Sequence, residues 1–87
     1  MPKFLMLHNY EPVEEPKVIG FLGGLKEKAR TAGLPAGIKL LEFHSCVGEK
    51  MNYAVWEAPN KNALETALRQ MNPPGKRTLH ELRQAYP

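Results

Sequence analysis

The sequence predicts an α+β fold with the element order strand, helix, strand, strand, helix, strand. Three observations predict it: an apolar run at 3–9, a hairpin pattern at 38–58, and an amphipathic helical stretch on each side of that hairpin. In this arrangement both helices cover one face of an antiparallel sheet. The 87 residues suffice for a single domain, 1–87.

The first strand is predicted at 3–9, where the apolar run is nearly uninterrupted. Such a run is typical of a strand that is buried on both faces and is therefore central in its sheet. Phe4, Met6 and His8 share one face of this strand, because side chains alternate along a strand. We expect this face to be the one that the helices leave uncovered.

Two stretches have the apolar stripe of an amphipathic helix. The first begins near Pro16 and ends at Gly33, and the second follows the N-cap residue Asn60 and ends at Asn72. The stripe of the first helix consists of Val18, Leu22, Leu25, Ala29 and Ala32, and that of the second of Ala63, Leu64, Ala67, Leu68 and Met71.

Three glycines interrupt the first helix at Gly20, Gly23 and Gly24. Each costs roughly 0.5–1 kcal/mol of helix stability relative to alanine. We expect them to allow close packing of the helix on the sheet, and the alternative is that they leave room for a ligand. The segment lacks the flanking residues of a phosphate-binding loop.

The hairpin at 38–58 is predicted to turn at Gly48-Glu49, which fixes the pairing of its strands. On one face Leu41 opposes Trp56 and Phe43 opposes Ala54, and this apolar face is expected to lie under the helices. The predicted pairs of the other face are Leu40 with Glu57, Glu42 with Val55, His44 with Tyr53, and Cys46 with Met51.

The tail at 77–86 fits two structures. Leu79, Leu82 and Tyr86 have helical spacing, whereas the element order calls for a last strand. We predict the strand, because only a strand completes the sheet.

The composition argues against several functional classes, among them nucleic-acid binding. The net charge of +3 comes from scattered basic residues, and Lys76-Arg77 is the only adjacent pair, which argues against a nucleic-acid partner. An RNA-binding sheet would also need more aromatic residues than Tyr53 on its open face. The single Cys46 excludes an internal disulfide and favours a cytoplasmic location. The N-terminal apolar run, Phe4 to Leu7, is too short for a signal peptide or a membrane span.

The predicted order is that of the ferredoxin-like fold, in which one sheet face stays uncovered. That face is predicted to carry a large apolar set, so we expect a homodimer that buries it. The residues assigned to it are Phe4, Met6, His8, Leu40, Met51 and Val55.

The chain resembles the dimeric α/β-barrel superfamily over its whole length. The resemblance rests on the architecture, on an apolar first strand ending in His8, on Glu57-Ala58-Pro59-Asn60 before the second helix, and on a Pro-Gly break before the tail. It implies two ferredoxin-like protomers packed sheet to sheet. Members include small families without an assigned function, one of them with a nickel-binding protein, and also cofactor-independent monooxygenases, isomerases and haem enzymes.

The polar residues of the open face predict a site for a small molecule. Its ligand-facing residues are predicted to be His8, Glu42, His44, Cys46 and Tyr53. His44 or His8 would act as an acid or base, Glu42 would set the histidine tautomer, and Tyr53 would donate a hydrogen bond to an oxyanion. A monooxygenase- or isomerase-like enzyme is a further alternative.

A metal site is the alternative interpretation of the same residues. His8, His44 and Cys46 are suitable ligands for nickel, zinc or copper, and the first and second strands are expected to run parallel with these residues near the same end. Beyond this possible transition metal, the sequence does not identify a cofactor.

Overall fold

The computed structural model describes residues 1–31 and 33–85 and has an α+β fold with one four-stranded antiparallel sheet and two helices. Its strand order is β2-β3-β1-β4, so the first strand is central, as predicted. Ala32 and Tyr86, which belong to the predicted helix stripe and tail, lie outside the described residues. The elements are β1 (Lys3–Asn9), a 3-10 turn (Pro12–Glu14), α1 (Glu15–Arg30), β2 (Lys39–Ser45), β3 (Met51–Glu57), α2 (Lys61–Met71) and β4 (Lys76–Leu82).

The predicted signals are present at the start of α1 and at both ends of α2, but α1 ends at Arg30 with Thr31 as its C-cap residue and not at the predicted Gly33. Pro16 lies in the first turn of α1, where its missing N–H costs nothing. The side chain of Asn60 accepts a hydrogen bond of 2.8 Å from the backbone N–H of Ala63 and thereby caps α2. Asn72 ends α2 in the left-handed conformation with a φ of 50°. In the described part of the chain, no helix combines the length and apolar composition of a membrane span.

The core lies between the sheet and the two helices. Leu25 of α1 and Leu64 and Leu68 of α2 belong to one buried cluster with the sheet residues, so both helices cover the same face of the sheet. The sheet residues of that cluster are Phe4, Met6, Ala54, Trp56 and Leu79. The prediction that Trp56 faces the helices is therefore confirmed.

The prediction for the faces of β1 is wrong. Phe4 and Met6 are fully buried under the helices, whereas Leu5 and Leu7 lie on the uncovered face. The reason is the β1–β3 pairing, in which Phe4 lies opposite Trp56. Residues opposite each other in neighbouring strands share a face, so Trp56 determines the face of Phe4.

The hairpin register is correct near the turn and wrong beyond it. His44 pairs with Tyr53, and Phe43 pairs with Ala54, as predicted. A bulge at Leu41 then shifts the register, so that Leu40 and not Leu41 pairs with Trp56. Leu40 consequently packs against the core instead of the open face, and Leu41 is 42% exposed.

The tail follows the prediction, whereas the turn lies one residue earlier than predicted: the backbone N–H of Glu49 donates to the carbonyl oxygen of Cys46, so Val47 and Gly48 are its central residues. Gly48 has a φ of +81°, the left-handed conformation that glycine adopts without strain, and the connection between β2 and β3 is the loop 46–50. The tail forms β4, which pairs with β1 along its length. The predicted strand at the tail is therefore present, and it ends at Leu82.

The glycines of α1 do not allow close packing. A Cβ atom added at Gly20, Gly23 or Gly24 would meet no heavy atom within 4 Å, and all three residues are exposed. The expectation that they bring the helix close to the sheet is therefore wrong, because they lie on the side of α1 that faces away from the core.

Candidate functional site

The open sheet face is the face that the helices do not cover. It carries the side chains that alternate with the buried residues of β1, β3 and β4, and the side chains of β2 that pair with them. The strand pairing arranges its middle part in two rows. One row runs Glu42, Val55, Leu5, His80, and the next runs His44, Tyr53, Leu7, Thr78. Lys3, Glu57 and Leu82 lie beyond the first row, and Met51 lies beyond the second.

The centre of the open sheet face is apolar and only partly buried. Leu5, Leu7 and Val55 lie on the two central strands and retain partial exposure, and so does the ring of Tyr53. No described helix packs on them, because both helices lie on the other face. Apolar side chains that line a continuous uncovered surface typically mark a binding surface.

The β2 edge of this face carries a pair of polar groups beside an aromatic ring. The imidazole of His44 stacks on the ring of Tyr53, with centroids 4.8 Å apart and an interplanar angle of 26°. Nε2 of His44 lies 3.2 Å from Oε1 of Glu42. Both side chains remain about half exposed, at 50% for His44 and 59% for Glu42. The structure therefore brings Glu42, His44 and Tyr53 together on the open sheet face, where the carboxylate and the aromatic ring orient an accessible imidazole.

The opposite edge carries a second imidazole that the sequence did not reveal. His80 of β4 is exposed, and its Nε2 lies 3.1 Å from Oγ1 of Thr78. His80 occupies the same row as Glu42, and Thr78 the same row as His44. Because the tail was predicted to be a strand, alternation around the apolar Leu79 could have indicated these positions.

His8 does not belong to the open sheet face. It is buried on the helix side at 1% exposure, where its Nδ1 lies 3.3 Å from Oδ1 of Asn52 and its Nε2–H donates to the carbonyl oxygen of Pro74. Gly75 permits this contact: its φ is +89°, and an added Cβ would lie 2.5 Å from the carbonyl oxygen of Asn9. His8 therefore fastens the loop after α2 to the end of β1, and its predicted place on the open face is wrong.

The predicted metal ligands are not brought together in one protomer. His8 and His44 lie near the same end of the sheet but on opposite faces, and Cys46 is part of the loop after β2. The backbone N–H of Cys46 donates to the carbonyl oxygen of Met51, so its opposition to Met51 is as predicted. Among residues 1–31 and 33–85, no group of three or more His, Cys, Asp or Glu side chains could hold a metal ion within the protomer.

Two surface depressions lie away from the open sheet face. One of about 400 Å³ is lined by the end of α1 and the start of β2, and one of about 570 Å³ is lined by the start of α1 and the loop at Pro73 and Pro74. Glu42, His44 and Tyr53 line neither of them. An enclosed cleft around these three side chains therefore needs a second surface.

Comparison with protein-family models, with curated proteins and with solved structures gives no match for this chain.

Proposed function

We propose that this protein is a homodimer that packs its two open sheet faces together and binds a small molecule beside Glu42, His44 and Tyr53. The observation that carries this proposal is the open sheet face itself, with its partly buried apolar centre and its polar edges. The strand order supports a ferredoxin-like topology, and sheet-to-sheet pairing would make the assembly a dimeric α/β barrel.

The arrangement of residues on the open sheet face would complement the same face of a second copy. Sheets that pack face to face commonly align within about 30° of each other. A two-fold axis parallel to the strands, between β1 and β3, would bring β2 over β4 of the second copy. Val55 would then lie opposite the partner's Leu5, and Tyr53 opposite the partner's Leu7. Apolar centre would meet apolar centre across the interface.

The charges favour the same axis. Glu57 of β3 would lie opposite the partner's Lys3, and Glu42 opposite the partner's His80. Neither Lys3 nor Glu57 forms an ion pair within the described part of the protomer. Complementary charges at the border of an apolar patch select the partner and its orientation. These pairs argue for a second copy as the occupant of the face.

The expected interface is modest in size. Four strands of seven residues span roughly 19 by 23 Å, so two copies would bury on the order of 1,000 Å² in total. This area is at the lower end of the range for specific interfaces. We therefore expect a reversible dimer.

The polar groups support binding of a small polar molecule in the cleft between the sheets. His44 can exchange a proton, Glu42 can hold its ring in one tautomer, and the Tyr53 ring offers an apolar surface. These groups are the ones that general acid–base catalysis needs. If the protein is an enzyme, we therefore propose that it catalyses an isomerase-like reaction. Native mass spectrometry of untagged protein should detect a co-purifying organic mass that is lost in His44→Ala.

Two separate variants, each with one valine replaced by glutamate, test the dimer. Val55→Glu should convert a dimer of twice the 9.8 kDa chain mass into a monomer in sedimentation experiments, because it buries a charge in an apolar interface. Val13→Glu makes the same change at a residue that is 85% exposed and away from the sheet, so it should leave the dimer intact. Circular dichroism checks that both variants are folded. A wild-type monomer at 100 µM, on the order of the upper concentrations at which such interfaces assemble, would refute the proposal.

A further inference from the structure

We propose that Glu42 and His44 of one protomer and His80 of the partner subunit together bind one divalent transition-metal ion, at two equivalent positions in the dimer. This inference rests on the proposed homodimer and identifies the chemistry of the cleft between the sheets. It differs from the set His8, His44 and Cys46, whose members the structure keeps apart.

The first two ligands already have a suitable separation. Oε1 of Glu42 and Nε2 of His44 are 3.2 Å apart. Two ligand atoms at the metal distances of a tetrahedral zinc site are separated by roughly 3.3 Å. Both side chains are about half exposed and extend from the same face of β2, so a metal ion could replace the hydrogen bond without a change in the backbone.

The third ligand follows from the row arrangement. Glu42 and His80 occupy opposite ends of one row, and the two-fold axis exchanges these ends. The imidazole of His80 is directed along its strand towards Thr78, with 3.1 Å between Nε2 and Oγ1, and Thr78 occupies the row of His44. Nε2 of the partner's His80 would therefore lie above the space between Glu42 and His44.

The distance between two packed sheets allows this contact. Stacked sheets lie about 10 Å apart, and side chains from both sides meet near the midplane. Glu42, His44 and the partner's His80 would approach that plane from the two sheets and could share one ion there.

Two imidazoles and one carboxylate select a limited group of metals. Zinc, nickel and cobalt bind such nitrogen and oxygen ligands, whereas magnesium and calcium prefer sets of oxygen ligands. Because three protein ligands do not complete the coordination of these ions, a position stays open for water or a small molecule.

Native mass spectrometry with added Zn²⁺ or Ni²⁺ tests the proposal. Wild-type protein should bind two ions per dimer, and His44→Ala and His80→Ala should each weaken binding at least tenfold. Glu42→Gln should weaken binding as well, whereas Glu49→Gln, a matched change in the exposed hairpin loop, should not. Mg²⁺ should not bind. Wild-type affinity for zinc and nickel in the His80→Ala variant would overturn the proposal.

Mixing the His44→Ala and His80→Ala variants, which should each bind metal weakly, tests whether the ligands come from different protomers. A dimer of one His44→Ala chain and one His80→Ala chain has one position without either histidine and one position with all three ligands. The heterodimer, identified by isotope labelling of one chain, should therefore bind one metal ion. A heterodimer without metal would refute the shared site. A wild-type dimer that binds no metal would refute this inference alone, whereas a wild-type monomer would refute the homodimer and the shared site together.

Discussion

Two histidines of the same chain, His8 and His44, differ in burial and in the face of the sheet on which they lie. His8 is buried and hydrogen-bonded on the helix side, whereas His44 is half exposed on the open sheet face. The alternation of β1 gives conflicting signals: Lys3 and Asn9 share the outer face with Leu5 and Leu7, whereas the polar His8 lies on the buried face. The side of Trp56 could be predicted, since Glu42, His44 and Glu57 mark the other face of its hairpin as the polar one.

The same substitution at these two histidines should therefore have different effects on stability. His8→Ala removes a buried ring and leaves the carbonyl oxygen of Pro74 without its donor, which should lower the free energy of unfolding by about 2–4 kcal/mol. His44→Ala should change it by less than about 0.5 kcal/mol, as is usual at the surface. Urea denaturation of both variants measures the difference. Equal losses would contradict the assignment of the two rings to opposite faces.

At the scale of the elements, local signals predicted both ends of α2 but neither the end of α1 at Arg30 nor the irregularity of β2. Asn60 and Asn72 mark the ends of α2 in the sequence as in the structure. The bulge at Leu41 could not be predicted, because a register shift depends on how Trp56 and Leu40 fit under the helices and not on any local residue type. It is the reason that the predicted pairs fail only in the half of the hairpin far from the turn.

The exposed glycines of α1 lead to a prediction of increased stability. Gly23→Ala and Gly24→Ala should each raise the free energy of unfolding by about 0.5–1 kcal/mol, because alanine restricts the unfolded chain and nothing crowds its Cβ. Gly48→Ala is the matched control: its Cβ would also be free of contacts, but its φ of +81° strains alanine, so this variant should lose stability. Thermal denaturation distinguishes the two cases. A loss of stability in both α1 variants would show that this side of the helix is covered.

At the scale of the whole molecule, the order of the elements predicted the structure of the tail better than its local residue spacing did. The tail has helical spacing, yet it forms β4, because an edge strand beside β1 completes the sheet and buries Leu79. The same topology leaves one sheet face without a covering layer. The composition of that face, apolar at its centre and charged at its borders, could be read from the sequence only after β1 and β4 had been assigned to the correct sides.

If this face is the dimer interface, the stability of the protein must depend on its concentration. A dimer that dissociates on unfolding gains stability by mass action as the concentration rises. The midpoint of thermal unfolding should therefore increase by about 2–5 °C for each tenfold increase in concentration.

Val13→Glu should preserve this dependence, whereas Val55→Glu should abolish it while leaving a folded protomer, because Val55 lies on the open sheet face and outside the buried cluster. Differential scanning fluorimetry between 2 and 200 µM, about the range in which an interface of this size would dissociate, measures it. A midpoint independent of concentration in the wild type would show that the open sheet face is not closed by a second copy.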